Sequence, residues 1–491
     1  MLEQIGTQTD ETRPAGHGPT YLCLHGHFYQ PPRENPFTRQ ILPEPAATPF
    51  ANFNEKITSE CYAPNAEAGN FDALNFDLGP TLASWLEETH PAVLQRIIEA
   101  DRAHVARYGV GNAMAQAYNH TILPLAPTRD KHTQVAWGLS DFRQRYGREA
   151  TGMWLAETAV DLESLDIMAQ HGITYTVLAP WQAATPIDPS EPYLVRLYNG
   201  RSITVFFYNA PLSGGVSFDW NTTSNADLFA GSYLPNQLEQ HKLQTGQPQL
   251  ILIATDGELY GHHRPWRDKF LSHLIKVGAP SSGFEICTLE RYMRMYPPTR
   301  EVELRLPSAW SCSHGIARWD SGCECTEGDS SWKGTLRHAL NNLAIRGDQL
   351  FEQYTEDVLA DPWAARDAYL PLHNGWEEAE SFWQRHGVKG RQPAAPLARR
   401  TLQLLEAQYY QQYSFTSCGF FFEDLDRIEP RNDIGFARRA ISLYWLALGV
   451  DLQQDFLCDL RATRSWRTGL RGDELYRQLP FVEARLLPPH F

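Results

Sequence analysis

Long apolar runs are missing from this 491-residue chain. None reaches the roughly 18 to 20 consecutive apolar residues that a membrane-spanning helix needs, so a membrane protein is not expected. The opening residues, MLEQIGTQTDETRPAGHGP, are polar and lack the apolar segment of a secretory leader. Basic residues are outnumbered: 43 Lys and Arg stand against 58 Asp and Glu, a net charge of -15 with histidine neutral. No basic stripe reverses that balance, and a phosphate backbone would be repelled, so nucleic acid is not an expected partner. Cysteine is sparse, and eight residues scattered from Cys23 to Cys458 do not make a disulfide framework. Together these absences point to a cytoplasmic protein. Internal repeats and low-complexity tracts are absent too, which removes solenoids and disordered linkers from consideration.

What remains is an ordinary globular composition, 42% hydrophobic and 21% charged, with enough length to bury a large core. Aromatics are plentiful, 14 Trp and 21 Tyr among them. Such rings most often fill cores, but they also serve carbohydrate sites as flat apolar platforms with polar edges.

Hydrophobic patterning divides the chain. Residues 1–19 read as a mobile tail. From 20 to 300 short apolar strands alternate with helices: Tyr21–Leu24, Ala113–Ala117, Gly152–Ala156, Thr174–Leu178, Ile251–Thr255 and Phe284–Thr288, with a hairpin of Tyr193–Leu197 and Ile203–Phe207 joined at Asn199-Gly200. Helical spacing covers Leu82–Glu88, Ala92–Ala106 and Lys131–Tyr146, and Pro36–Ala68 has no clear period. This alternation predicts an α/β fold with a parallel barrel. Residues 301–330 form a polar, cysteine-rich segment, and 331–491 are helical, interrupted at Thr416–Asp424 by three consecutive Phe.

Carboxylates and histidines stand where the strands end. Ile251–His263, ILIATDGELYGHH, reads as a strand buried on both faces that runs into Asp256-Gly257-Glu258. Glu157 follows Gly152–Ala156 in the same way. His25 and His27 close the first strand on one side of it, and His120 ends the second. Each alone has a structural explanation in turns or core histidines; together, at the ends where α/β sheets carry their chemistry, they mark a candidate site. Two carboxylates so placed suit glycosidic bond cleavage, one as nucleophile and the other, protonated, as acid. Asp256 and Glu258 have the same strand parity, so spacing leaves both open as the second carboxylate. Cys312, His314, Cys323 and Cys325 are residue types that bind zinc, but C-x-H and C-x-C are looser than the usual ligand spacings, and metal binding there stays open.

Four segments, His25-Gly26-His27 with Gln30-Pro31, Tyr118-Asn119-His120 with Leu123-Pro124-Leu125, Trp154-Leu155-Ala156-Glu157, and Asp256-Gly257-Glu258-Leu259-Tyr260-Gly261-His262-His263, resemble in order and form the sequence regions of glycoside hydrolase family 57. That resemblance implies an incomplete (β/α)7 barrel followed by an all-α helical C-terminal domain. It implies retaining chemistry on α-glucans or related α-glycosides, by hydrolysis or glucanotransfer, through a covalent glycosyl-enzyme, with Glu157 as nucleophile and Asp256 as acid/base. It further implies that His25, His27, His120, Glu258 and His262 contact substrate, and that Trp154, Trp310 and Trp319 stack on sugar rings or wall the pocket. Ser308-Ala309-Trp310 through Arg318-Trp319-Asp320 is similar to the family's fifth region and adds Asp320. Neither cofactor nor catalytic metal is implied, and the partner is an oligo- or polysaccharide.

The His-Gly-His segment has Gly where many relatives carry a larger residue, and the chain looks like a little-characterised branch of the family. Two alternatives compete. One uses His25, His27, His120 and Asp256 as metal ligands, as in metal-dependent polysaccharide deacetylases. The other keeps the barrel as a non-catalytic α-glucan-binding protein.

Overall fold

The computed structural model describes residues 18–479. Most of the expected N-terminal tail and residues 480–491 lie outside the described residues. A six-stranded sheet combines β1 (Thr20–Phe28), β2 (Asn75–Leu78), β3 (Ala113–Gln116), β4 (Met153–Trp154), β8 (Gln249–Asp256) and β9 (Glu285–Ile286), with β4-β3-β2-β1-β8 in order and β9 beside the start of β1. A second sheet holds β5 (Tyr175–Leu178), β6 (Tyr193–Arg196), β7 (Ser202–Phe207) and β10 (Arg300–Glu301). The two meet twice. A parallel bridge joins Gly152 to Tyr175, and past the end of β7 the Asn209 amide donates to the Leu252 carbonyl at 2.7 Å. The result is the incomplete parallel barrel expected, with the β6–β7 hairpin antiparallel as its Asn-Gly turn predicts.

Strand parity explains what the barrel exposes to its interior. Leu22 and Leu24 of β1, Phe76 of β2 and Ile251 and Ile253 of β8 pack outward in one core with the surrounding helices. Tyr21, Cys23, Met114, Trp154, Leu250, Leu252 and Ala254 pack inward in another. Continuing that inward parity brings His25 and His27 on β1 and Asp256 on β8 to the inside. Parallel register then sets His27 opposite Asp77 of β2 on one side and opposite Asp256 on the other.

β2 was not anticipated: it is four residues long, and Asn75 and Asp77 break its apolar pattern. The expected strand at Phe284–Thr288 shrinks to Glu285–Ile286, and that at Gly152–Ala156 to Met153–Trp154. Expected helices lengthen by their caps to Pro80–Thr89, Pro91–Tyr108 and Thr128–Tyr146, the last two ending on left-handed Gly109 and Gly147. The Pro36–Ala68 stretch contains short helices at Phe53–Ile57 and Ala63–Glu67.

Beyond the barrel, long helices Trp332–Thr355, Ala395–Tyr413 and Ile428–Leu448 bury their apolar stripes in a separate core that includes Trp332, Leu336, Leu340, Leu404 and Tyr444. This core reaches Tyr118, Ile122 and Trp137 of the barrel, which docks the helices on one flank. Fully buried Arg366 reinforces the join, donating to Asp130 Oδ1 at 2.7 Å and to Gln408 Oε1 at 2.8 Å. Among the described residues no helix is long and apolar enough to cross a membrane.

Candidate active site

A cavity of about 1080 Å³ opens at the C-terminal ends of the strands. His27, His120, Glu157, Asp256, Glu258, His262, Trp310 and Ser311 line it, with Phe421, Phe422, Arg427 and Glu429 of the helical region forming part of its wall. The three consecutive Phe thus have a destination: Phe420 is buried in the helical core under Arg337, and Phe421 and Phe422 face the cavity.

Glu157 sits just past β4 in a left-handed backbone conformation, φ 56° and ψ 21°, followed by Thr158 at φ 49°. Two such residues in succession cost energy and persist only when their surroundings hold them. Gln182 supplies part of that hold: its amide nitrogen donates to the Thr158 carbonyl at 2.8 Å and its oxygen accepts from Thr158 Oγ1 at 2.9 Å. Segment Ser308–Ser311 runs antiparallel to Glu157–Val160, joined by the Val160–Ser308 bridge and by the Trp310 amide donating to the Glu157 carbonyl at 3.1 Å. As a result Trp310 Nε1 and Ser311 Oγ both donate to Glu157 Oε2 at 2.9 Å, and Oε1 is left toward the cavity. Burial raises the Glu157 pKa, opposed by those two donors and by the His27 charge.

Asp256 ends β8 as its one exposed residue and lines the cavity. Burial raises its pKa, with His27 and His263 pulling the other way. Among the described residues no protein group hydrogen-bonds its carboxylate, so its proton capacity faces the cavity. Glu258 is different. It is buried, accepts from Tyr62 Oη at 2.6 Å and from the Tyr29 amide at 3.2 Å, and burial carries its pKa up to about 7. The two carboxylates that spacing left open are therefore physically distinct.

Beneath the carboxylates lies a relay of imidazoles. Burial alone would lower the His27 pKa, but Asp77, with Asp256 and Glu258 beyond it, outweighs burial and raises it to about 9. His27 is then an imidazolium at neutral pH, donating from Nδ1 to Asp77 Oδ2 at 2.8 Å and from Nε2 to His120 Nε2 at 3.2 Å. His120 is pushed far below the ordinary value by burial and by the His27 charge, so it stays neutral and donates from Nδ1 to Ser417 Oγ at 2.6 Å. Asp77, which burial would raise, is held well below the carboxylate range by the two imidazoles. Trp154 floors the group, stacked under His25 at 4.7 Å and His27 at 5.1 Å and edge-on to Trp310 at 5.2 Å.

Several expected contacts fall elsewhere. His25 is fully buried and off the cavity; its Nε2 donates to Asp77 Oδ1 at 3.0 Å and its Nδ1 accepts from Asn75 at 2.9 Å. Trp154 is buried beneath the histidines rather than open to a ring. Trp319 lies wholly inside the helical core against Phe421, and Asp320 points to solvent; neither lines the cavity. His262 does line it, paired with Glu60 at 2.6 Å. The metal-ligand alternative for His25, His27, His120 and Asp256 loses its geometry, because the three histidines are hydrogen-bonded to Asp77 or to one another and, among the described residues, the four side chains do not converge as a ligand group.

Residues that sequence patterning passed over complete the site. Asp77 organises both histidines of β1. Trp181 and Phe218, 46% and 87% exposed, stand at the cavity with Tyr208, and Trp181 donates to the Ala309 carbonyl at 3.2 Å. Tyr208 directly follows β7, and Trp181 sits in the Pro180–Gln182 turn just past β5; those strand-end positions were the available signal.

The sequence profile of glycosyl hydrolase family 57 matches residues 25–305, more than half of the chain, and a domain of unknown function matches 329–486. α-Amylase 1 of Dictyoglomus thermophilum is 26% identical over 269 residues, which is 52% of this chain and 35% of that protein, so the chain spans about a third of this relative's length. Among solved structures, an exo-type maltose-forming amylase of Pyrococcus sp. ST04 superposes with a TM-score of 0.74 at 14% identity, covering 90% of this chain and 83% of the other. A branching enzyme of Thermococcus kodakaraensis gives 0.59 at 15% identity over 96% and 99% of the two chains. A 4-α-glucanotransferase of Thermococcus litoralis gives 0.53 at 17% over 86% and 60%. These superpositions speak for the fold, and the profile match speaks for the lineage: the chain belongs to glycoside hydrolase family 57.

Proposed function

We propose that this protein is a retaining glycoside hydrolase or glucanotransferase of α-glucans or related α-glycosides, with Glu157 as nucleophile and Asp256 as acid/base. The observation that carries the reading is the asymmetry of the two carboxylates. Glu157 has one oxygen clamped by Trp310 and Ser311, which stabilises the ionised form and fixes the direction of the other oxygen. Asp256 has no protein donor and a raised pKa, the condition for a group that delivers a proton and takes it back.

In the first step Oε1 of Glu157 attacks the anomeric carbon while Asp256 protonates the departing glycosidic oxygen. A glycosyl ester on Glu157 results. In the second step Asp256, now ionised, takes a proton from water or from a sugar hydroxyl that attacks the ester, giving hydrolysis or transfer. The His27 imidazolium supports negative charge on both carboxylates. Trp181, Tyr208 and Phe218 offer faces for sugar rings, and the mixed aromatic and polar lining suits an oligosaccharide.

The test is product profiling on α-gluco-oligosaccharides of several lengths and linkages with wild type, Glu157→Ala and Asp256→Asn. Wild type should give shorter, longer or branched products and both variants essentially none. Azide added to Glu157→Ala should give a glycosyl azide of configuration opposite to the substrate, the mark of a missing nucleophile. Wild-type turnover by Glu157→Ala without azide would overturn the assignment.

A further inference from the structure

Beside the Glu157 clamp lies a second constellation that the glycosidase chemistry does not use. Cys312, His314, Cys323 and Cys325 come together so that one ligand atom from each lies within 4.8 Å of the others. Cys312 Sγ is 3.7 Å from Cys323 Sγ and 3.9 Å from Cys325 Sγ, and Cys325 Sγ is 3.4 Å from His314 Nδ1. Four donors tetrahedral about one zinc ion, with Zn–S about 2.3 Å and Zn–N about 2.0 Å, stand about 3.8 Å apart sulfur to sulfur and about 3.5 Å apart sulfur to nitrogen. The three separations of 3.4 to 3.9 Å match a mononuclear tetrahedral site, and the full spread of 4.8 Å needs only about 1 Å of side-chain contraction around an ion. They are too long for a disulfide, whose sulfurs lie about 2.05 Å apart.

The surrounding chain is shaped for this convergence. One residue between ligands, as in C-x-H and C-x-C, requires tight turns. Left-handed glycines flank the two pairs and turn the chain that brings one to the other, Gly315 at φ 75° after His314 and Gly322 at φ 91° before Cys323. A Cβ at Gly322 would meet the Ser330 carbonyl oxygen at 2.4 Å, so the loop is closed on itself there. Ligand backbones are pinned as well: the Cys323 carbonyl accepts from Thr326 at 3.3 Å and Ser330 at 3.2 Å, and the Cys325 carbonyl accepts from Arg318 at 2.7 Å. Buried Lys333 donates to Thr326 at 3.2 Å within the same loop. Three thiolates and a divalent ion carry one net negative charge, which this cation offsets. Three thiolates and an imidazole select a soft, tetrahedral ion over magnesium or calcium.

The geometry points to a structural zinc site formed by Cys312, His314, Cys323 and Cys325 that fastens the loop following Trp310 and Ser311. Binding displaces a proton from each of the three thiols and leaves no open position for water. Cys312 directly follows Ser311, so the ion fixes the segment that holds Glu157 Oε2. That positioning role rests on the catalytic reading above; the metal site itself does not.

The experiment is metal analysis of the full-length protein purified without chelators or an affinity metal. About one zinc per chain should survive dialysis. A strong chelator should release it, together with three thiols newly reactive to a disulfide reagent, and lower the melting temperature. Cobalt substituted for zinc should show the intense visible absorption of tetrahedral thiolate coordination. Cys323→Ser with Cys325→Ser should abolish zinc binding, His314→Cys should retain it as a four-cysteine site, and Cys458→Ser, at an exposed position away from the cluster, should leave it unchanged. Should the double variant fail to fold, the His314→Cys and cobalt results decide. Protein with less than a tenth of an equivalent of zinc, or with Cys312 and Cys323 recovered as a disulfide, would overturn the proposal. Neither result touches Glu157, whose reading fails only by product analysis.

Discussion

Asp77 Oδ2 lies 2.8 Å from His27 Nδ1, and Asp77 is the main charge that keeps His27, at the cavity floor, an imidazolium. The Asp77 pKa is lowered, so its stabilising contribution is present above the ordinary value of 3.8 and is lost as pH falls below it. That of His27 is raised from 6.5 to about 9, so its contribution is full below about 6.5 and is lost as pH rises through about 9. Asp77→Asn removes both. Denaturant titrations should show the variant less stable by about 3 kcal/mol near pH 6, the scale of a broken buried ion pair. The deficit should shrink above pH 9. A difference that does not vary with pH would assign the effect to packing instead.

The clamp on Glu157 can be tested one donor at a time. Ser311→Ala and Trp310→Phe each remove a hydrogen bond to a charged oxygen, worth about 1.5–3 kcal/mol, or about 10- to 100-fold in kcat. The azide product formed by a Glu157→Ala background should keep its configuration in both. An unchanged kcat in Ser311→Ala would mean that Trp310 alone holds the carboxylate.

Asp256→Asn should be most damaging for substrates with a poor leaving group. An aryl glycoside with an acidic phenol needs no proton to depart, so its first step should survive and the second become limiting, visible as a burst of phenol. Because burial raises Glu157 and Asp256, the wild-type pH–rate profile should lie above the range of ordinary carboxylates, and Asp256→Asn should erase the basic limb.

Removal of an aromatic platform should act on binding. Trp181→Ala should raise KM for long oligosaccharides about 2- to 12-fold, from about 0.5–1.5 kcal/mol of ring contact, with kcat little changed. An equal loss for the shortest substrate would place Trp181 beside the reacting sugar rather than farther along the cavity.

Arg366 tests the union of barrel and helices. Arg366→Met leaves Asp130 buried without its cation, so the melting curve should shift down by the equivalent of about 3–5 kcal/mol. A parallel loss of activity at temperatures where the fold persists would show that the helical wall of the cavity, Phe421 and Phe422, depends on this join.

The sequence by itself determined the buried strands other than β2, because apolar runs ending in Asp256, Glu157 or His27 have few other folds open to them, and it determined the helical stripes of the second half. Ordered motifs also identified Glu157 and Asp256 as the pair to watch. Tertiary structure alone decided the rest. Parallel register set Asp77 of a four-residue polar strand opposite His27, a contact across 50 residues that no local pattern announces. Parity could not separate Asp256 from Glu258; the environments did, one exposed to the cavity without a protein hydrogen bond and the other buried and held by Tyr62 and the Tyr29 amide. His25 and Trp319 share the residue types of a sugar site, yet packing assigned them to the interior. The zinc-type spacing looked too loose in one dimension, until left-handed glycines folded 14 residues into a cluster 4.8 Å across. Local chemistry fixes which residues can act, but which of them meet is set by register and close packing over long separations, where the free energy belongs to the whole fold.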